Sequence, residues 1–67
     1  MKTRYDKSTD SLYVELRPLP ASRTVEIEED VMLDVGDDGQ PVGYDIQHAS
    51  KKSDFIAKLV INQAAAE

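Results

Sequence analysis

Residues 31–46 have the sequence VMLDVGDDGQPVGYDI. Val31, Leu33 and Val35 alternate with Met32 and Asp34, and Val42, Tyr44 and Ile46 again share one face. This period of two is typical of a half-buried β-strand. Between these runs, residues 36–40 contain Asp-Gly, which is the strongest short-range signal for a hairpin turn. Pro41 suits the first position of the second strand, where its missing amide hydrogen is tolerated. The segment therefore predicts an antiparallel hairpin.

A third strand is predicted immediately before this hairpin. Residues 24–28 alternate in the same way, and Val25 and Ile27 are expected to face inward. Only two residues separate this run from the strand at 31–35, so the connection is a tight turn. Three successive strands joined by short turns then form an antiparallel meander.

The first third of the chain predicts a second hairpin. Strands are expected over residues 2–6 and 11–16, and the intervening Asp and Ser side chains favour a turn because they can bond nearby backbone amides. Pro18 and Pro20 lack the amide hydrogen that a continuous ladder requires, so residues 17–22 are predicted to be a loop between the hairpins. This loop permits more than one arrangement, and the strand order in the sheet stays open.

After His48 the period changes to that of a helix. Ser53 is predicted as the N-cap, and Asp54 in the first turn complements the helix dipole. One apolar stripe recurs at helical spacing and contains Phe55, Ile56, Leu59 and Val60. The chain is therefore predicted to be a single α+β domain over residues 1–67, in which a small antiparallel β-sheet of about five strands is covered on one face by a C-terminal amphipathic helix.

Composition excludes several classes of protein. The chain has 67 residues, of which 40% are hydrophobic and none is cysteine, so disulfides and thiolate zinc sites are excluded. No apolar run approaches the roughly 18 residues of a membrane helix and no signal-peptide core follows Met1, so we expect a cytoplasmic protein without membrane contact. The expected free energy of unfolding is only about 3–10 kcal/mol, which favours a homodimer as additional support.

The formal net charge of −5 argues against a nucleic-acid partner, which would normally be matched by a basic surplus. The charge is unevenly distributed, with +2 in residues 1–24, −8 in residues 25–50 and +1 in residues 51–67. Strand alternation is expected to place four acidic residues on one outward face, namely Glu26, Glu28, Asp34 and Asp45. Such a face could dock a basic protein partner. Alternatively, it could simply be solvated and keep a small protein soluble.

Two other residues are candidates for contact with a partner. Tyr13 is expected to point outward beside Glu15, and tyrosine is enriched at protein interfaces. Ile61 lies nearly opposite the apolar stripe of the helix, where it is either an ordinary exposed residue or a helix-mediated dimer contact. The sequence thus predicts protein–protein interaction, through the acidic face, an exposed strand edge or self-association.

An enzyme or small-ligand site is the alternative hypothesis. His48 could act as a general base oriented by Asp45 or Asp54, with Ser50 or Ser53 as the nucleophile. No motif fixes that geometry, and a lone histidine at a strand–helix junction is more often a surface or capping residue. We therefore predict no catalytic constellation and no enzyme activity.

The hairpin matches a calcium-binding loop only in part. Several positions of a calcium-binding loop are matched between residues 34 and 45, by Asp34, Asp38, Gly39 and Asp45. However, Gly36 replaces a required ligand, Pro41 falls inside the loop and the flanks are predicted strands. A hairpin turn explains these residues more simply, so we predict neither a metal nor a cofactor.

Two motifs resemble those of a known family. The first is Tyr5-Asp6-(three residues)-Asp10-(one)-Leu12-Tyr13-Val14, and the second is Asp37-(one)-Gly39-(two)-Val42-Gly43-Tyr44-Asp45-Ile46-(two)-Ala49-Ser50. With both motifs in this order, residues 1–52 resemble a small prokaryotic family catalogued as domain of unknown function 2283. Thr3 stands where the family usually has an aliphatic residue, and Asp45 where it usually has Glu. The resemblance implies a compact, mostly β domain without established activity, and an antitoxin-like role beside small toxin-like proteins.

Overall fold

A computed structural model describes the backbone of residues 1–66 and the side chains of residues 1–62. Five antiparallel strands form one open sheet in the order β1-β2-β5-β4-β3, followed by a helix, which confirms the predicted α+β class. The elements are β1 (Lys2–Asp6), β2 (Ser11–Glu15), β3 (Arg23–Glu28), β4 (Val31–Val35), β5 (Pro41–Ile46), a 3₁₀ turn (Ala49–Lys51) and α1 (Ser53–Ala66). No helix within residues 1–66 combines the length and the apolar character needed to cross a membrane.

The sequence left the strand order open, and the pairing of β2 with β5 determines it. The predicted meander of β3, β4 and β5 is confirmed, and β2 pairs with the free edge of β5. Leu12 lies opposite Ile46, and Val14 lies opposite Tyr44, so the apolar sides of the two hairpins join into one surface. The central strand β5 is therefore covered by neighbours on both edges, and only β1 and β3 have open edges.

The helix packs over the middle of the sheet and leaves its edges uncovered. The buried core contains Val14, Val31, Ile46, Ala49 and Leu59. Phe55 packs its ring edge-to-face against Tyr44, with centroids 5.8 Å apart. Val25 and Ile27, which were predicted to face the core, are 39% and 43% exposed because the helix does not reach edge strand β3. Val60 is likewise 44% exposed, so the predicted apolar stripe of the helix is narrower than expected.

The start of α1 also differs from the prediction. The Ile56 amide donates to the Lys52 carbonyl over 3.0 Å, so the first helical hydrogen bond begins at Lys52, and Ser53 is already inside the helix. The 3₁₀ turn Ala49–Lys51, which alternation and helical periodicity do not detect, precedes it. It follows His48, whose left-handed backbone (φ 52°) reverses the chain between the sheet and the helix.

Asp10 links the first turn to this 3₁₀ turn. Its backbone is left-handed (φ 53°), and its carboxylate accepts hydrogen bonds from the hydroxyls of Tyr5 and Ser50, each over 2.7 Å. The Ala49 amide donates to the Asp10 carbonyl over 2.9 Å. The bonds from Ser50 and Tyr5 hold the pKa of Asp10 below its ordinary value. Tyr5 is 52% exposed, and its hydroxyl serves this contact.

Arg17 fixes the turn between β4 and β5. Its guanidinium makes a bidentate pair with Asp38, Nη1 to Oδ2 over 2.8 Å and Nη2 to Oδ1 over 3.0 Å. It also donates to the carbonyl oxygens of Gln40 and Pro41, each over 3.0 Å. The Arg17 contact holds the pKa of Asp38 well below its usual range. The loop that separates the two hairpins in sequence thus clamps the turn of the second one.

Asp38→Asn is expected to lower the free energy of unfolding near neutral pH and to lose that effect in acid. Because its pKa is depressed in the folded state, Asp38 stabilises the fold above the unfolded-state pKa of about 3.9. That stabilisation is lost as the pH falls through the folded-state pKa. Urea unfolding of the wild type and the variant, from about pH 7 to about pH 2, measures the narrowing difference.

Asp37→Asn is the matched control, because the Asp37 side chain makes no hydrogen bond to any described residue. This control should follow the wild type at every pH. If both variants lost stability to the same extent, and with the same pH dependence, the contact between Arg17 and Asp38 would not be the cause.

Candidate functional site

The face of the sheet opposite the helix is not covered by any described element, and we call it the open face. Cross-strand pairing arranges its side chains in rows, because directly opposed residues in antiparallel strands share a face. One row contains Arg4, Tyr13, Asp45, Met32 and Glu26. The adjacent row contains Lys2, Glu15, Gly43, Asp34 and Thr24.

Tyr13 extends across the centre of the open face. Its phenol end rests on Gly43, where an added Cβ would overlap the hydroxyl and lie 2.7 Å from Cζ. The hydroxyl donates to Asp34 Oδ2 over 3.0 Å, and Asp34 Oδ1 accepts from the Thr24 hydroxyl over 2.7 Å. A tyrosine from β2 is thus held over β5 by a carboxylate from β4.

Carboxylates surround this tyrosine. Burial and the hydrogen bond to Asp34 raise the pKa of the Tyr13 hydroxyl, and the negative charges of Asp34, Glu15 and Asp45 act in the same direction. Asp45 Oδ1 accepts from Gln47 Nε2 over 2.9 Å. Lys2 and Arg4 of β1 provide positive charge at one side of the face, so the acidic part extends from β2 to β3. The arrangement suits a cation that approaches over the inner strands.

Most of the predicted partner-binding residues share this face. Tyr13, Asp34, Asp45 and Glu26 lie in its two central rows, as alternation predicts. Their role in binding a partner remains a prediction. Ile61 is 66% exposed on α1, in the other layer of the fold, and therefore belongs to a different surface.

The expected position of Glu28 on this face is wrong. A β-bulge between Glu26 and Glu28 shifts the register, so Glu28 lies opposite the buried residue Val31. Its carboxylate pairs with Lys52 Nζ over 3.2 Å at the start of the helix. One extra residue in a bulge reverses the side on which the next side chain emerges, and simple alternation cannot detect it.

The proposed contacts of His48 are also wrong. His48 Nδ1 lies 3.0 Å from Asp30 Oδ2 and makes no hydrogen bond to Asp45 or Asp54. The Ser50 hydroxyl donates to Asp10 over 2.7 Å and not to His48, so the nucleophile–base contact is not formed. His48 and Asp30 lie in adjoining turns, which are joined by the hydrogen bond from the Gln47 amide to the Asp30 carbonyl over 2.7 Å.

The acidic residues of the β4–β5 hairpin do not converge. Asp34 points to Tyr13 and Thr24 on the open face, whereas Asp38 pairs with Arg17 at the turn. Within the described residues, no group of three or more His, Asp or Glu side chains is arranged to hold a metal ion.

Gly43 and Met32 are members of the site that the sequence did not single out. A glycine within a strand often marks the close approach of another group, so Gly43 offered a usable signal. Met32 alternates with the apolar residues of β4, and its place beside Asp45 becomes evident only from the register. The site therefore consists of Tyr13 over Gly43, the carboxylates around it, and Met32.

A comparison with protein families gives one match. The model of a family described as "Protein of unknown function (DUF2283)" matches residues 2–50, which include all five strands. No curated protein and no solved structure matches the chain. The motifs of the resemblance have distinct places in the fold: Tyr5, Asp10 and Ser50 join the two turns, whereas Tyr13 and Gly43 form the centre of the open face.

Proposed function

We propose that this chain, a member of the DUF2283 family whose description gives no activity, is a cytoplasmic protein–protein interaction module. In this proposal its open face binds a basic partner. The observation that supports this proposal is the charge of an uncovered face on a rigid sheet. Glu15, Asp34, Asp45 and Glu26 all lie on it within three adjoining strands and the edge strand β3. Charges of one sign on a surface speed the approach of an oppositely charged partner and orient it.

The residues at the centre of the face also suit protein contact. Tyrosine and methionine are both enriched at interfaces, and Tyr13 and Met32 lie on either side of Asp45 in one row. Across the strands, Glu15 lies opposite Lys2, whereas Glu26, Asp34 and Asp45 have no Lys or Arg opposite them. A basic partner would supply the missing positive charge. An antitoxin-like role, with a small basic toxin-like protein as the partner, is one form of this proposal.

Removing charge from the open face should weaken the binding of a basic probe more than removing the same charge elsewhere. The probe is a synthetic peptide of alternating lysine and serine, titrated into the labelled protein and followed by amide NMR. The open-face variant carries Glu15→Gln, Glu26→Gln and Asp45→Asn, and we expect about tenfold weaker binding from three lost attractions.

The control variant removes three carboxylates from outside the face, with Glu29→Gln, Asp37→Asn and Asp54→Asn. Its net charge equals that of the open-face variant, so we expect a change of no more than about twofold. Equal weakening in both variants would mean that net charge alone drives binding, and that the open face is only solvated. Shifts confined to the helix would contradict the proposal in the same way.

Self-association is a second candidate, supported by apolar residues outside the open face. Ile61 is two-thirds exposed on α1, and Val25 and Ile27 are exposed on the edge strand β3. The open face itself does not favour a second copy, because its carboxylates outnumber Lys2 and Arg4 and two such faces would repel. A homodimer would therefore use the helix or the β3 edge.

A further inference from the structure

We infer that the basic partner is anchored by an arginine side chain, whose guanidinium stacks on Tyr13 and bonds to Glu15 and Asp45. This inference rests on the proposed function, since it names the group that the open face selects. It is carried by the placement of an aromatic ring between two carboxylates on a face that nothing described covers. A guanidinium combines a positive charge, a flat surface and several donors, and this site offers a partner for each.

The ring is fixed before a partner arrives. The phenol end of Tyr13 rests on Gly43, and its hydroxyl is bonded to Asp34, whose other oxygen is bonded to Thr24. Both Asp34 oxygens are thus engaged, and Asp34 acts as the positioning residue for the ring. A side chain that is already ordered loses little conformational freedom on binding. The ring also borders an open depression of about 490 Å³, whose charged lining consists of Arg4, Asp6, Lys7 and Asp45.

Two carboxylates beside the ring keep acceptor capacity. Asp45 lies directly opposite Tyr13 on the neighbouring strand, and among the described residues only its Oδ1 accepts a side-chain hydrogen bond, from Gln47. Glu15 lies two residues after Tyr13 on the same face and makes no hydrogen bond to any described residue. A guanidinium over the ring can donate to one carboxylate from each side, and such charged hydrogen bonds are stronger than neutral ones.

The surroundings set the direction from which the arginine approaches. Lys2 and Arg4 on β1 repel a cation at that edge, whereas Met32 and Glu26 continue the row of Tyr13 and Asp45 on the other side. Met32 can pack against the methylene groups of the arginine stem. The partner segment therefore crosses the strands from β3 toward β2.

Lysine fits this site less well than arginine. An ammonium group is a compact point charge that cannot stack and donate to two carboxylates in a fixed plane. Both cations gain affinity from an aromatic ring, but only the guanidinium adds flat stacking and paired donors in a fixed plane. We expect a peptide of alternating arginine and serine to bind the wild type about threefold to tenfold more tightly than the lysine–serine peptide of the same length.

The test measures this ratio in three proteins. Tyr13→Leu should reduce the arginine-to-lysine ratio to about one, because it weakens the arginine peptide more than the lysine peptide: both cations are attracted to the ring, but only the guanidinium stacks on it. Phe55→Leu, which removes an aromatic ring that packs against Tyr44 on the helix side of the sheet, should leave the ratio unchanged. A ratio near one in the wild type, or an unchanged ratio in Tyr13→Leu, would overturn the inference.

A second measurement on the wild type does not depend on how the variants fold. In the saturated complex, an intermolecular NOE is expected between the Tyr13 ring protons and the arginine δ protons, and its absence would overturn the inference. The two proposals fail separately. If the open-face charge variant weakens both peptides but the wild type shows no arginine preference, the interaction face stands and the arginine anchor is wrong.

Discussion

Replacing Ile46 by alanine should remove a large part of the free energy of unfolding at 25 °C. Ile46 is fully buried in the central strand, between Leu12 of β2 and Val31 of β4, and it belongs to the core that packs against Leu59 of the helix. Truncating a buried isoleucine to alanine costs about 2–5 kcal/mol. A domain of this length has about 3–10 kcal/mol in total, so one substitution removes a large part of it.

Ile61→Ala is the control, because it makes the same chemical change at a side chain that is 66% exposed. We expect a change in the free energy of unfolding of less than about 0.5 kcal/mol, since the site is on the surface and alanine is a good helix former. Circular dichroism with urea unfolding compares the two variants. A similar loss of stability in both would contradict the assignment of Ile46 to the core.

The same control variant tests self-association through the helix. If Ile61 forms a helix-mediated dimer contact, Ile61→Ala should shift a dimer toward the monomer in sedimentation equilibrium without changing the stability of the monomer. If the dimer is unaffected by this change, its contact lies outside Ile61, and the β3 edge, where Val25 and Ile27 are exposed, is the other candidate.

The strands were predictable because each has a local pattern, whereas their order depends on contacts between distant residues. Alternation in 31–35 and 41–46 requires nothing beyond neighbouring residues, and both predicted boundaries are confirmed. The position of β2 beside β5 depends on the match of Val14 with Tyr44. It also depends on the contact between Asp10 and Ser50, which are 40 residues apart. No local pattern contains that information.

In the candidate site, likewise, the face that each residue occupies was predictable from local sequence, whereas contacts between strands were not. Alternation identified the side of the sheet that Tyr13, Asp34 and Asp45 occupy, because side chains on a strand alternate with a period of two. The bulge before Glu28 breaks that period, and the prediction fails at Glu28. The contact between Tyr13 and Asp34 could not be predicted, because it crosses β5 and requires the register of three strands.

Gly43→Ala should displace Tyr13 and remove the arginine preference of the open face. The added methyl group would overlap the Tyr13 hydroxyl, lie 2.7 Å from Cζ and lie 3.0 Å from the Val14 carbonyl oxygen. The backbone oxygen cannot move far, so the tyrosine must swing away and lose its hydrogen bond to Asp34. We expect a loss of about 1–2 kcal/mol in the free energy of unfolding, and an arginine-to-lysine ratio that falls to about one.

Gly39→Ala separates the loss of stability from the loss of binding. Gly39 has a φ of +77° and no atom within 4 Å of the position of an added Cβ, so its replacement strains the turn without touching the open face. That strain costs about 1–2 kcal/mol, which is similar to the expected cost at Gly43. The two variants should therefore unfold at similar urea concentrations, while only Gly43→Ala loses the arginine preference. A displaced Tyr13 ring can no longer hold a cation between Glu15 and Asp45. If Gly43→Ala nevertheless kept the arginine preference, as Gly39→Ala should, the position of this ring would not be what selects the guanidinium.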